Sequence, residues 1–460
     1  MTHQDSPYSD DQMITRHTGI QTTVENKPVT RRLVFALAWP IILSNLSTPL
    51  LGLVDTAVIG RLGDAVLIGA VAIGSMIFSF LFWGFGFLRM GTTGLVAQAY
   101  GAGDTVEIKA SFYRAGLTGF LIGLLLIFIQ TPMIEAAMQL ISASQETETA
   151  ALAYFQIRIW GAPFNLSLLA IMGYLLGIQQ SRQLLIIQVT LNSLNIVLDI
   201  VFVVFLDWGV PGVAMATVVA EIMALGLGIM LVHGSLKSFI SAPAGWAEIL
   251  NIPAIKRMAS VNRDIMLRTL CLIFAFAWFT NQGASTGDVT LAANAILMQF
   301  VTFAAFFLDG FALAAESLIG MATGSFNTGR LRRAMRYSFE LAFATAAGLA
   351  LCFFYAGNHV ITWLTTAQSV ITAAETYLVW VIAAPLLSVA CYLLDGIFIG
   401  ATRTLEMRNA MMVSLTGYLL AWYLLTPVWQ NHGLWASLMI FFVLRALTLW
   451  YYYPRLFSRQ

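Results

Sequence analysis

The sequence predicts an all-α, polytopic membrane protein of twelve transmembrane helices in two six-helix lobes, and three observations predict it. Hydrophobic residues make up 59% of the 460 residues and charged residues only 10%, against roughly 45–50% and about 25% in ordinary soluble domains. A water-soluble core cannot hide that excess. Apolar stretches of about 20 residues, each enough to cross the hydrocarbon, follow one another with short polar breaks. Basic residues outside these stretches fall in alternate loops, a pattern that fixes orientation.

The spans are read at 33–60, 66–100, 110–133, 150–178, 184–206, 213–233, 265–282, 291–325, 335–354, 373–402, 411–428 and 434–453. A carboxylate at the centre of a span costs about 2.5–3.5 kcal/mol on insertion scales, so each one needs a reason. The first span carries Pro40, Pro49 and Gly52 upstream of Asp55. Each proline removes a backbone hydrogen bond and favours a kink, so Pro40 and Pro49 are helix-bending candidates. Asp55 is either a functional acid or the partner of an arginine in a permanently bent helix. On the fourth span Tyr154 and Arg158 stand one turn apart. In the fifth, Asn192, Asn195 and Asp199 recur at spacings of three and four, which places them on one face. That face looks into protein or water, as an aqueous cleft or as polar glue between helices. The sixth span adds Thr217 and Glu221, the latter a candidate partner for an internal arginine. The seventh has no acid in its interior, only Asp264 at its start. Asp309 and Glu316 in the eighth lie two turns apart on one face, and Asp395 lies in the tenth. These three are a second ion site or, with Arg268, a structural ion-pair network.

The net charge of +1 hides an asymmetry. Arg16, Lys27, Arg31 and Arg32 precede the first span; Lys109, Arg114, Arg182, Lys237, Lys256, Arg257, Arg263, Arg330, Arg332, Arg333, Arg336, Arg403 and Arg408 fall in even-numbered loops; Arg455 and Arg459 follow the last span. Odd-numbered loops show only Arg61. The pattern expects both termini in the cytoplasm of a cell with an inner membrane. The chain divides into a disordered tail at 1–30, a first lobe at 31–233, a cytoplasmic linker loop at 234–262 and a second lobe at 263–460. An offset of 224 superposes Gly63-Asp64 on Gly287-Asp288, Leu67 on Leu291 and Gly86-Phe87 on Gly310-Phe311, and one of 218 places Tyr174-Leu175-Leu176 on Tyr392-Leu393-Leu394. Six spans per unit is even, so duplication implies a two-fold axis along the membrane normal and a cleft between the lobes.

Histidines lie at termini, loops or span ends, and Cys271, Cys352 and Cys391 lie within apolar spans, so neither an intramembrane histidine relay nor a disulfide framework is expected. No P-loop is present, and energy must come from an ion gradient. The chain is expected to be no enzyme, to need no cofactor, and to meet lipids and small amphipathic molecules, as a monomer, without nucleic acid.

Four segments carry a family resemblance: 39–60 (WPIILSNLSTPLLGLVDTAVIG), 87–102 (FLRMGTTGLVAQAYGA), 194–199 (LNIVLD) and 393–403 (LLDGIFIGATR). From Arg31 onward the chain resembles the multidrug and toxic compound extrusion (MATE) transporters, within them the DinF-like branch. The resemblance implies two lobes forming a V and export of amphipathic, often cationic compounds against inward H⁺, with Na⁺ as the alternative ion. It implies that Asp55 is the acid whose protonation bends the first helix, with Asn195, Asp199, Thr217 and Tyr154 in its hydrogen-bond network and Asn192 beside them. Asp395 is similar to an acid that serves cation coupling in sodium-type members, but those also carry an acid inside the seventh helix. The rival function is a flippase for a lipid-linked precursor, whose cleft should be strongly cationic.

Overall fold

The protein's structure, a computed structural model, describes residues 28–61, 64–140, 144–239 and 244–457. Most of the expected tail, residues 1–27, lies outside them. Among the described residues every regular element is helical, and twelve helices are long and apolar enough to cross a membrane. We number them α1 (Arg31–Gly60), α2 (Ala65–Ala102), α3 (Thr105–Phe128), α4 (Gln145–Gly177), α5 (Ser181–Phe205), α6 (Gly209–Lys237), α7 (Ile252–Ser285), α8 (Asp288–Gly324), α9 (Thr328–Leu364), α10 (Gln368–Gly400), α11 (Thr404–Trp429) and α12 (Asn431–Tyr451). Six of the helices start where the short polar breaks supply side-chain acceptors for free N–H groups. Thr30 caps Leu33, Asp64 caps Val66, Asp104 caps Glu107, Ser144 caps Thr147, Asn251 caps Ala254 and Asn327 caps Arg330.

Hydropathy placed each span but underestimated its length. The connection expected at 234–262 is largely helical: α6 runs on to Lys237, a short helix spans Trp246–Ile249, and α7 starts at Ile252. Polarity there marks a helix that outruns the hydrocarbon, not a loop. Three helices are interrupted. α2 breaks after Gly84 and resumes at Phe87, α4 passes through a 3₁₀ turn at Ile159–Gly161, and α5 ends in a π-helical turn, Ile200–Phe205, immediately after Asp199. Such turns free backbone groups and recur at functional sites.

The two halves repeat in the backbone. Residues with positive φ recur 223 apart: Gly103 (71°) and Phe326 (53°), Gln179 (64°) and Thr402 (51°), Asp207 (55°) and Gln430 (50°). The helix-ending hydrogen bonds share that spacing, Asp104 N to Ala99 O matching Asn327 N to Ala322 O, and Gln180 N to Leu175 O matching Arg403 N to Phe398 O. This lies within one residue of the expected 224 and replaces 218, because Gln179 pairs with Thr402 and not with Ile397, five residues earlier; Tyr174 and Tyr392 are not equivalent.

The halves meet along a seam made by the second part of α2 and the C-terminal part of α8. Its contacts are reciprocal under the same spacing. A Cβ on Gly101 would strike the carbonyl of Met321, and one on Gly324 would strike that of Gln98. Within each half the pattern continues, Gly173 against the Arg89 carbonyl and Gly396 against that of Ala312, Gly177 against Thr93 and Gly400 against Glu316. Small residues let the backbones approach where no hydrophobic drive holds helices together. Arg31, Arg257, Arg332, Arg403 and Arg455 gather at this end through Glu340, Gln98, Phe457, the Arg455 carbonyl and Tyr452 respectively. We call it the basic end; a cavity of about 800 Å³ opens there between the halves, bordered by Gln98, Arg257, Thr323 and Arg403.

Candidate functional site

The first half brings its predicted polar residues together. Asp55 of α1 and Asp199 of α5 are buried, with Asn195 one turn before Asp199. The Asn195 amide nitrogen faces both acids, since carboxylate oxygens can only accept. It lies 2.9 Å from Asp199 Oδ2 and 3.3 Å from Asp55 Oδ1, while Asn195 Oδ1 accepts from Thr217 Oγ1 at 3.0 Å. Asp199 Oδ1 has no hydrogen-bond partner among the described residues. Asn192 continues the stripe one turn nearer the basic end, donating to Ser47 Oγ of α1 at 2.8 Å and accepting from Gln188 Nε2 at 3.0 Å. The stripe faces protein: Asp199 is 0% exposed, against 56% for Val197 half a turn away.

Asp55 has no arginine partner among the described residues, contrary to the structural alternative. The available guanidinium is committed elsewhere. Arg158 of α4 grips Glu221 of α6 through two bonds of 2.6 and 2.9 Å, Asn165 adds a third at 2.6 Å, and the rings of Phe78 and Phe82 pack against the cation. Tyr154, a turn before Arg158, is buried with its hydroxyl 3.4 Å from Ser75 Oγ. Gly74 makes room for its ring, for a Cβ there would meet Tyr154 Cδ1. Asn165 and Ser47 were missed in the sequence although both have legible positions, Asn165 two turns beyond Arg158 on one face and Ser47 in a polar run of α1.

α1 itself is weakened next to the acid. Pro49 leaves the carbonyl of Asn45 without a helical donor, and hydroxyls bond back to nearby carbonyls, Ser47 Oγ to Ser44 O at 2.7 Å and Thr56 Oγ1 to Gly52 O at 2.8 Å. Pro40 adds a second gap closer to the basic end.

The second half assembles differently from the expected network. Arg268 of α7 and Arg445 of α12 both bind Asp395 Oδ2 of α10. Arg268 therefore pairs with Asp395 and with neither Asp309 nor Glu316. Asp309 sits among Arg89, Arg268 and Arg445 without a direct ion pair among the described residues. Glu316, 0% exposed, has neither carboxyl oxygen hydrogen-bonded among the described residues. Asp264, placed at the start of α7 by hydropathy, is a full three turns inside that helix and is bridged by Arg263 and Arg408 at 3.0 and 2.8 Å. No group of three or more His, Cys, Asp or Glu could hold a metal among the described residues.

Comparison with known proteins agrees with this architecture. The family model MatE matches twice, at residues 40–201 and 265–426, the second match starting and ending 225 residues after the first. The chain is 41% identical over 417 residues, 90% of each chain, to DNA damage-inducible protein F of Escherichia coli K12. It is 22% identical over 418 residues, 88% of this chain and 90% of the relative, to the multidrug export protein MepA of Staphylococcus aureus. Among solved structures, the Vibrio cholerae MATE transporter VcmN in its bent form superposes with a TM-score of 0.81 at 20% identity, covering 93% of this chain and 97% of that one. A multi-pass, twelve-helix chain built on two matching halves, it belongs to the MatE family of transporters.

Proposed function

We propose that the chain is a multidrug efflux antiporter, which exports small amphipathic, cationic molecules in exchange for H⁺ at Asp55 and Asp199. One observation carries this reading: two acids from facing helices share a single amide donor, Asn195, and neither is in an ion pair among the described residues. Like charges so close cannot both be ionised in an apolar interior. The pair holds a proton, or gives it up when a cationic substrate or water reaches it. The names of relatives, among them MepA and several NorM multidrug resistance proteins, support the drug class.

Charge loss at the pair releases Asn195 and Thr217, the groups that tie α5 and α6 to α1. The half of α1 beyond Pro49 is then free to bend, so bending becomes a two-state element that protonation biases. For a neutral substrate a single proton suffices energetically. Moving it inward through roughly 150 mV releases about 3.5 kcal/mol, enough for a gradient of a few hundred-fold, whereas exchange for a monovalent cation moves no net charge and is driven by the pH difference alone. The basic end is then the cytoplasmic face of the inner membrane, by the positive-inside rule, and the chain works as a monomer. Everted vesicles, with a fluorescent cationic dye added outside where their cytoplasmic face lies, test the coupling ion. Transport should follow an imposed pH gradient and ignore an imposed Na⁺ gradient of equal size; the reverse would transfer coupling to Na⁺.

A further inference from the structure

Glu316 is the buried acid that the coupling reading leaves unused. It lies on α8 at the seam between the halves, about 12 Å of helix from the basic end at 1.5 Å per residue. Its backbone is clamped, since its carbonyl abuts Gly400 so closely that a Cβ there would overlap it. Its repeat equivalent, 223 residues earlier, is Thr93 on α2, and the Thr93 hydroxyl is the side chain that faces the Glu316 carboxyl. The two equivalent positions therefore meet near the pseudo-two-fold axis, where the halves touch.

With its proton on the Arg89 carbonyl at 2.9 Å, the Thr93 hydroxyl leaves both Glu316 oxygens without a donor among the described residues. In that arrangement it presents an acceptor lone pair, which suits a protonated carboxyl that donates. The charged groups facing Glu316 are Arg89 of α2, Arg268 of α7 and Asp309 of its own helix. Arg268 is taken by Asp395, which α10 contributes behind it, and Arg89 makes no ion pair among the described residues while its buried Nη1 lacks a partner. An ionised, fully buried carboxylate with no donor on either oxygen is costly. Parting α2 from α8 would let water in and let Arg89 swing onto it.

We propose that Glu316 is a second proton-binding site, neutral while the α2–α8 seam is closed and ionised when the seam opens toward the basic end. Protonation there closes the cytoplasmic gate, and loss of that proton into the cytoplasm opens it. The inference rests on proton coupling as proposed above, but concerns a different acid at a different depth.

The test uses the full chain in lipid vesicles, with its three cysteines replaced by alanine and spin labels on Ala102→Cys and Thr323→Cys, which flank the basic-end cavity on α2 and α8. Distances are recorded between pH 5.5 and 8.5. The open-to-closed ratio should rise by up to about tenfold per pH unit, the slope of a one-proton equilibrium. Glu316→Gln should stay closed throughout, and Asp55→Asn should keep the slope while losing dye efflux. A parent-like slope in Glu316→Gln overturns the proposal and leaves the Asp55 reading standing. Retained efflux in Asp55→Asn, with the slope abolished only by Glu316→Gln, overturns the earlier reading instead. If Glu316→Gln fails to fold, Glu316→Asp should keep the slope with a displaced midpoint, and an unmoved midpoint counts against the site.

Discussion

The two halves share a backbone and differ in what they bury at equivalent positions. Adding 223 to Asp55, Asn195 and Asp199 gives Trp278, Tyr418 and Trp422. The contact is conserved while the chemistry is not: Trp278 and Trp422 meet edge to face with centroids 5.0 Å apart, where Asp55 and Asp199 share Asn195. Ion pairing differs as well. In the first half Glu221 takes Arg158 while Asp55 and Asp199 have no ion-pair partner among the described residues; in the second Asp395 takes both Arg268 and Arg445, and Asp309 and Glu316 face Arg89 of the first half. Duplication supplied two equivalent lobes, and substitution left two acids sharing one amide in one of them. The other carries an aromatic contact at that place.

The sharpest way to break this comparison is to remove the counter-ion that keeps the first half folded. Glu221→Leu leaves Arg158 buried without its partner and should cost about 3–5 kcal/mol, read as a collapse of the thermal transition in detergent. Adding Arg158→Met should recover most of that loss, because the apolar pair needs no desolvation. Full stability in the single variant would mean the pair is not buried as described.

Next in size is the seam. Gly101→Ala and Gly324→Ala push equivalent methyls into the carbonyls of Met321 and Gln98. Each should disfavour the closed seam by about 1–3 kcal/mol, seen as weaker cross-linking between cysteines at the basic end. The two effects should match, and a large disparity would deny the two-fold relation.

The smallest effect is expected in the aromatic frame. Trp422→Phe should lose about 0.5–1.5 kcal/mol of edge-to-face contact and leave the pH dependence of efflux unchanged. A shifted pH profile would give the second half a share in coupling.

Twelve spans, their orientation pattern and the stripe of Asn192, Asn195 and Asp199 were legible because bilayer thickness and helical periodicity write themselves directly into sequence. Pairing was not. Nothing in a span's composition says that Arg158 will choose Glu221 over Asp55, or that Arg268 will choose Asp395 over Asp309, since those choices depend on rotation and depth of helices far apart in sequence. The repeat was readable only roughly. Sparse identities such as Gly86 and Gly310 gave its spacing to one residue, yet a chance match at Tyr174 and Tyr392 suggested 218, and the turns at Gln179 and Thr402 were needed to reject it. The role of Glu316 was hidden for the same reason, because its partner across the axis, Thr93, is an unremarked hydroxyl in α2.

Dye efflux by Asp55→Asn in vesicles under an imposed pH gradient tests the central claim most directly, with Asp395→Asn measured alongside. The variant should insert and fold but lose pH-driven efflux, since asparagine mimics a permanently protonated Asp55, while Asp395→Asn should be impaired less. Wild-type efflux by Asp55→Asn would contradict the account and move coupling to the acids of the second half.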